Sequence, residues 1–285
     1  MRIIISLIII LFALNAEGGP WPQNKGEGYF KLSEFWIVAD QHYTDTGEID
    51  PNVTTGYFSS NLYAEFGLTS NLTGIVYFPF FVRTYFNNTV SGTTGEVLIP
   101  GEAINAIGDA DIGLSYGLFR RGSMSVSIAA VFGIPLGQES GGSLNNLQTG
   151  DGEFNQMIRL DAGSSFTFSG NNGWISASLG YNNRSKGFSD EVISSLQVGV
   201  QLFDGKITPS LRVESRQSRF NGDPNLALNF TSIFSNNTEY VAFTPELAVN
   251  INNKLGVAAS IGFTTSGNII LARPGYSLGI YYLMK

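Results

Sequence analysis

Residues 123 to 137, Ser-Met-Ser-Val-Ser-Ile-Ala-Ala-Val-Phe-Gly-Ile-Pro-Leu-Gly, alternate between two kinds of side chain. The even positions, from Met124 to Leu136, are apolar, and the odd positions are mostly serine, alanine or glycine. Because successive side chains of a β-strand point to opposite faces, this stretch predicts a strand with one apolar face and one small, mostly polar face. Such a strand is typical of a wall with lipid on one side and a crowded or wet interior on the other.

The same alternation continues from residue 28 to the end of the chain, interrupted by turn-forming clusters, and helical periodicity is nearly absent. We predict twelve strands, at residues 28–42, 55–69, 72–86, 108–119, 124–137, 152–168, 174–185, 190–203, 206–219, 238–251, 255–266 and 272–284.

The links between these strands alternate in length. Five are tight turns rich in Gly and Asn, at residues 70–71, 120–123, 170–173, 204–205 and 252–253. The others are mostly longer, at residues 43–54, 87–107, 138–151, 186–189, 220–237 and 267–271. Outer-membrane barrels place short turns in the periplasm and long loops outside. The sequence therefore predicts an all-β fold, a transmembrane antiparallel up-and-down β-barrel of about twelve strands in the outer membrane of a Gram-negative bacterium.

The chain divides into three predicted parts: a signal peptide at residues 1–16, a short periplasmic or lumenal segment at 17–27, and the barrel at 28–285. Arg2 precedes an apolar run of roughly ten residues, the length of a signal-peptide core. No later apolar stretch reaches the roughly 18 residues that a membrane-spanning helix needs, so entry into a membrane would require a closed barrel.

Composition limits the other classes. The net charge of −7 gives no broad basic surface, so no nucleic-acid partner is predicted. The absence of cysteine excludes disulfides and thiolate metal sites. The alternative fold is a soluble β-sandwich or lipocalin-like barrel, but only 14% of the residues are charged, too few for its water-exposed exterior.

Three short stretches resemble a family of outer-membrane barrels labelled as putative components of the meta-pathway of phenol degradation, which are distantly like fatty-acid and aromatic-hydrocarbon channels. They are residues 107–117 (IGDADIGLSYG), 135–137 (PLG) and 147–155 (LQTGDGEFN). The resemblance covers most of the chain in pattern but only these motifs in identity. It implies a twelve-stranded barrel that passes small hydrophobic or aromatic molecules.

The inward face of the predicted strands carries many charged residues for a sequence in which only 14% of the residues are charged. The candidates for the lumen and substrate path are Glu65, Arg83, Asp109, Asp111, Arg159, Asp161, Arg212, Glu214, Arg216, Glu246 and Arg273. Because both signs occur in similar number, they can form arginine–carboxylate bridges that narrow the pore. A second interpretation is a constriction in which Arg159, Arg212 and Arg216 attract an anionic substrate.

No catalytic residue, metal or cofactor is predicted. The only histidine, His42, lies near Asp40 and Thr44, but a catalytic serine at that spacing is missing, so a role in the aromatic girdle or in loop hydrogen bonding is favoured. The pairs Asp109/Asp111 and Asp151/Glu153 supply too few oxygens for a divalent cation and are assigned structural or loop-capping roles.

Two segments outside the strands could control access. Trp21, in the Gly- and Pro-rich N-terminal segment, could anchor a lumenal plug or rest at the periplasmic interface, and we favour the interface. The loop at residues 87–107 is the best candidate for a lid or constriction.

Three functions stay open. We favour a passive channel for small, hydrophobic or aromatic molecules over a structural or adhesive surface barrel, and both over an integral outer-membrane enzyme. The predicted partners are outer-membrane lipid, a small hydrophobic or aromatic ligand, and the barrel assembly machinery. The last of these would recognise the alternating apolar and aromatic residues of 275–285.

Overall fold

A computed structural model describes residues 19–226 and 233–285, and the regular structure in them consists of β-strands. The predicted signal peptide at residues 1–16 lies outside the described residues. The strands are β1 (Gly28–Tyr43), β2 (Ile49–Gly67), β3 (Leu72–Phe86), β4 (Thr89–Val90), β5 (Val97–Ile99), β6 (Glu102–Ala106), β7 (Ala110–Arg121), β8 (Met124–Ile134), β9 (Asn155–Phe168), β10 (Asn171–Arg184), β11 (Glu191–Val200), β12 (Ile207–Ser218), β13 (Glu239–Asn250), β14 (Leu255–Asn268), β15 (Ile270–Leu271) and β16 (Gly275–Met284).

Twelve of these strands form one closed antiparallel barrel, which confirms the predicted fold. Each pairs with the next long strand in the sequence, and β1 closes the ring against β16, with Gly28 opposite Met284 and Ile37 opposite Gly275. Closure gives every strand two neighbours, which is how a sheet satisfies its backbone groups in lipid. No helix in the described ranges is long and apolar enough to cross a membrane.

The short strands and long links gather at one end of the barrel. There β6 pairs with β3, β15 pairs with β1, and β4 and β5 form a separate hairpin. The opposite end has tight turns such as Ser169-Gly170, where both residues have positive φ (48° and 79°), as a two-residue hairpin requires. Following the wiring of outer-membrane barrels, we call the tight-turn end periplasmic and the other end extracellular.

The outer face of the barrel is an apolar belt. In β8, Met124, Ile128 and Phe132 are exposed, whereas Ser125 and Ser127 on the other face are buried. Glu34 in β1 departs from the pattern on the outer face, where its carboxylate accepts a 2.7 Å hydrogen bond from Ser60 Oγ. An outward apolar band of this kind is typical of a barrel surface that faces lipid.

We expect the substitution Ile128→Arg to destabilise the barrel by about 2 to 4 kcal/mol, because it puts a charge on the lipid face near the middle of β8. The matched change Met124→Arg, at the periplasmic end of the same face, should cost at most about 1 kcal/mol. Urea unfolding of both variants in lipid vesicles measures the difference. Equal costs for the two positions would contradict the placement of the belt.

A β-bulge in β3 inverts the alternation of that strand. Phe80 has no partner in β2, because the pairing steps over it between Ser60 and Asn61. Beyond the bulge Val82 points into the barrel and is fully buried, so Arg83 is exposed on the outer face. The prediction that Arg83 faces the lumen is therefore wrong. Strict alternation assigns the two faces to odd and even positions and takes no account of the inserted Phe80.

In the part of the chain that the structure describes, the lumen contains two apolar clusters, one near each end. The periplasmic cluster is formed by Tyr29, Ala248, Ala258, Tyr281 and Leu283. The extracellular cluster is formed by Ile37, Ala39, Tyr57, Val82 and Leu271. The charged part of the lumen lies between them.

Candidate functional site

The N-terminal segment lies inside the barrel, at its periplasmic end. The carbonyl oxygen of Pro20 accepts a 2.6 Å hydrogen bond from Ser125 Oγ, on the inner face of β8. Trp21 is 7% exposed and lies against Gly163 of β9, where an added Cβ would come within 2.7 Å of the indole ring. The glycine therefore leaves the space that the segment occupies. The structure places Trp21 in the lumen and not at the periplasmic interface.

The same segment is also tied to β2 and β3, which lie on the far side of β7 from β8. Gln23 donates from its backbone N–H to Thr73 Oγ1 (2.8 Å) and from Nε2 to the Glu65 carboxylate (2.8 Å). Farther along, the backbone N–H of Gly26 donates to the carbonyl of Gly67 (2.9 Å). Contacts on β2, β3, β8 and β9 thus hold residues 19–26, which we call the plug, across part of the lumen.

The rest of the periplasmic half is filled by side chains of the wall. Tyr29 stacks on Tyr281, with ring centroids 5.8 Å apart, and meets Tyr63 edge-on at 6.1 Å. Lys31 Nζ lies 3.3 Å from the Glu246 carboxylate, joining β1 to β13 across the two strands between them. Together with the plug, these side chains narrow the periplasmic opening.

Charged side chains of both signs line the middle of the lumen. One ion pair there joins Arg159 and Asp161 at 2.9 Å, along the inner face of β9. On β12, Arg212 donates to Gln197 (3.4 Å) and Arg216 to Glu191 (3.3 Å). These contacts hold the arginines against the wall.

A cavity of about 230 Å³ lies at this level. Its lining includes Arg159, Asp161, Arg212, Glu214, Arg216, Ser178 and Ser195 from the wall and Gly19 and Pro20 from the plug. The plug therefore forms one boundary of the mid-lumen cavity.

A buried charge cluster fixes the extracellular end of the wall. Arg184, at the end of β10, donates through Nη1 to Glu191 (3.0 Å), through Nη2 to Asp151 (3.0 Å) and through Nε to Glu153. Its guanidinium also lies 4.4 Å from the ring centroid of Phe188. The side chains of Arg184, Glu153 and Glu191 are at most 4% exposed, so each charge depends on the others for its partners.

Burial shifts the protonation of this cluster. Burial, as the larger cause, raises the pKa of Asp151 to about 7. The neighbouring Glu153 carboxylate acts in the same direction. Burial also raises the pKa of Glu153, although Arg184 acts in the opposite direction. Asp151 and Glu153 therefore bind protons more readily than exposed carboxylates do.

The cluster and Asp109 together hold one loop against the barrel mouth. The Asp109 carboxylate accepts the backbone N–H groups of Gly137 (2.7 Å) and Asp151 (2.8 Å), at the two ends of residues 137–151. Leu147, within that loop, is 4% exposed. The loop that folds inward is thus 137–154, which we call the inward loop, and Glu153 lies at its C-terminal end. Residues 87–107, the predicted lid, are mostly exposed and form the β4–β5 hairpin and β6.

Above the charged region lies a second cavity, of about 220 Å³, which we call the mouth cavity. Its wall side is formed by side chains of β2, β3 and β15, among them Tyr57, Phe86 and Leu271. The inward loop covers it with Leu147, and Phe234 lies beside it. The mouth cavity is mainly apolar, in contrast to the cavity below.

Most predicted lumen residues do face inward. Those on the inner face are Glu65, Asp111, Arg159, Asp161, Arg212, Glu214, Arg216 and Glu246. Asp109 lies at the mouth as a loop cap. Arg273 is not in the lumen: it precedes β16 and its Nε lies 2.7 Å from the outward-facing carboxylate of Asp40. The prediction fails there because the alternation of β16 begins only at Gly275.

Several inward polar residues were not predicted from the sequence, among them Lys31, Arg184, Glu191 and Tyr240. Tyr240 Oη donates a 2.6 Å hydrogen bond to Glu214, in the middle of the lumen. Lys31 shares its parity with Tyr29 and Ser33, so the strand pattern could have identified it.

Asp40 and Thr44, which lie near His42 in the sequence, each contact another partner. Asp40 binds Arg273, and Thr44 Oγ1 accepts the backbone N–H of Glu48 (3.1 Å). Within the described residues, no group of three or more His, Cys, Asp or Glu side chains is arranged to hold a metal ion.

Comparison with known proteins shows a likeness in structure. No protein-family model matches the sequence, and no curated protein matches it. An outer-membrane channel from Pseudomonas putida F1 is similar in structure, with a TM-score of 0.56 and 11% identity over 94% of this chain and 99% of that one. The NanC porin gives a TM-score of 0.49 at 6% identity, covering 89% of this chain and 98% of its own. By its closed barrel and its apolar belt, this chain is an outer-membrane β-barrel.

Proposed function

We propose that this protein is a passive channel of the outer membrane and that it passes small hydrophobic or aromatic molecules. The observation that carries the proposal is the pair of cavities at successive levels of one lumen, the mouth cavity above and the mid-lumen cavity below. A solute that enters between the extracellular loops would meet the apolar cavity first. The resemblance of the three sequence motifs to barrels suspected of passing aromatic compounds supports the same class of solute.

The charged wall fits a path for neutral solutes. Arg159 and Arg216 each contact a carboxylate, and Arg212 contacts the Gln197 amide. Arginines that already have partners along the wall bind an anion more weakly than unpartnered arginines would, because binding the anion would break these contacts. We infer that these contacts narrow the path and hold its shape.

The test is a transport assay with two neighbouring substitutions. Ser195 lines the mid-lumen cavity, whereas Leu196, the next residue of β11, is half exposed on the lipid face. We expect Ser195→Trp to slow transport strongly, because the indole fills the cavity, and Leu196→Trp to leave it unchanged. Uptake of benzyl alcohol is measured in proteoliposomes whose outer leaflet contains lipopolysaccharide, with arabinose as a hydrophilic comparison.

Each part of the proposal can fail separately. Uptake no faster than in protein-free liposomes, or equal uptake through both variants, would contradict a channel. A channel that passed arabinose faster than benzyl alcohol would contradict the hydrophobic class of solute.

A further inference from the structure

Arg83 lies on the outer face of the barrel in a row of aromatic side chains. The row crosses neighbouring strands in register, from Tyr276 of β16 through Trp36 of β1 and Phe58 of β2 to Arg83 of β3. The rings of Trp36 and Tyr276 stack with their centroids 5.7 Å apart. Asn105 of β6 pairs with Arg83 and extends the row by one strand. Aromatic side chains on the outward face of such a barrel mark its border with the membrane surface.

The height of this row along the barrel agrees with that border. On the outer face the apolar belt runs from Leu68, directly after β2 at the periplasmic turn, back to Phe58. About ten residues of a strand tilted by roughly 40° rise about 25 Å, the height of the apolar band in outer-membrane barrels. Because Arg83 lies opposite Phe58, its guanidinium is at the level of the lipid headgroups of the outer leaflet.

The Arg83 guanidinium has no counter-charge from the protein. Its Nη1 donates to Asn105 Oδ1 (3.0 Å), and it lies 5.9 Å from the centroid of the Tyr85 ring. Among the described residues, no carboxylate forms an ion pair with it. Glu102 is near, but its carboxylate accepts the backbone N–H of Ser143 (2.6 Å) and thus faces the inward loop.

We propose that Arg83 and Asn105 bind a phosphate group of lipopolysaccharide, the lipid of the outer leaflet. A guanidinium has five N–H donors in a planar fork that binds phosphate through two parallel hydrogen bonds, and Arg83 uses one donor on Asn105. Since Asn105 Oδ1 faces Arg83, its Nδ2 is left as a further donor. An open cleft between the ends of β3 and β6, lined by Arg83, Tyr85, Asn88 and Ala103, gives the headgroup room.

The surroundings favour a lipid over a soluble anion. The site adjoins the aromatic row and the apolar belt, so a phosphate that carries acyl chains can bury them against Phe58 and Phe81, whose rings lie 6.1 Å apart. Inorganic phosphate has the same charge but would leave this surface uncovered.

Binding is measured by native mass spectrometry of the folded barrel in detergent. The probes are lipid A with two phosphates, dephosphorylated lipid A with the same acyl chains, and inorganic phosphate. We expect one molecule of the diphosphorylated lipid to bind, and Arg83→Gln to weaken that binding about tenfold or more, the factor for a lost hydrogen bond to a charged group. The difference between the two proteins should vanish with dephosphorylated lipid A.

Two further variants locate the contact. Arg121→Gln removes the same charge at an exposed residue of a periplasmic turn, and it should leave the affinity for lipid A unchanged. Asn105→Leu keeps most of the side-chain volume but loses the amide, and we expect a smaller loss than for Arg83→Gln. Migration of the unboiled proteins on a denaturing gel verifies that each variant has folded.

Any of three results would overturn the inference. Equal losses in Arg83→Gln and Arg121→Gln would show that only net charge attracts the lipid. Equal binding of the two forms of lipid A would show that the phosphate is not recognised. Saturable binding of inorganic phosphate as tight as that of lipid A would assign the site to a soluble anion.

Discussion

Replacing Arg184 with methionine is expected to lower the free energy of unfolding of the barrel by about 3 to 5 kcal/mol. The substitution keeps much of the apolar stem but leaves Glu153 and Glu191 buried without their guanidinium partner. Because Glu153 ends the inward loop, we also expect proteases to cut residues 137–154 more readily in intact vesicles. Urea unfolding in vesicles and limited proteolysis measure the two effects.

The control for this prediction is Lys186→Met. Lys186 also binds a carboxylate of the inward loop, that of Glu139 at 3.0 Å, but both side chains are more than half exposed. Water replaces such a pair easily, so the loss should stay below about 1 kcal/mol. Similar losses for the two variants would mean that the Arg184 cluster does not hold the mouth together.

Displacing the plug is expected to raise the ion conductance of the barrel severalfold. In the variant Gly163→Val, the new side chain would occupy the space of Pro20 and Trp21, whose nearest atoms lie 2.6 and 2.7 Å from the position of an added Cβ. Single-channel recording in planar bilayers measures the conductance, and proteolysis of the N-terminal segment reports its release. Deletion of residues 19–25 should give the same open state without a change in the wall.

Gly180→Val provides the matched control. Gly180 also faces the lumen, on β10, but an added Cβ there would meet only flexible side chains, Met157 at 3.2 Å and Arg159 at 3.5 Å. We expect the conductance of this variant to match that of the unaltered protein. An unchanged conductance in both Gly163→Val and the deletion would show that residues 19–26 do not limit the path.

The sequence predicted the barrel because lipid imposes a simple rule on every strand. The alternation in β8 has the same parity in the structure as in the sequence, and its serines face inward throughout. The rule fails where the backbone leaves the regular ladder. Phe80 is one extra residue, and it moves Arg83 to the outer face without a visible break in the apolar pattern.

The contents of the lumen were harder to predict because they depend on which parts of the chain fold inward. Nothing in the spacing of Asp109, Asp151 and Glu153 shows that they hold one loop, since their partners are backbone N–H groups and an arginine far along the chain. The position of the plug was equally hard to predict from the sequence. Its Gly- and Pro-rich sequence excludes a helix, but only the small residues opposite it, such as Gly163, show where it lies.

The position of the plug also sets an order of events during biogenesis. The seam between β1 and β16 joins the two ends of the sequence, and contacts of such high separation form late in folding. The plug, directly before β1, touches β2, β3, β8 and β9, which are all made before β16. The growing sheet can therefore curve around the plug. Pairing of β16 with β1 then closes a barrel whose lumen already contains its N-terminal segment.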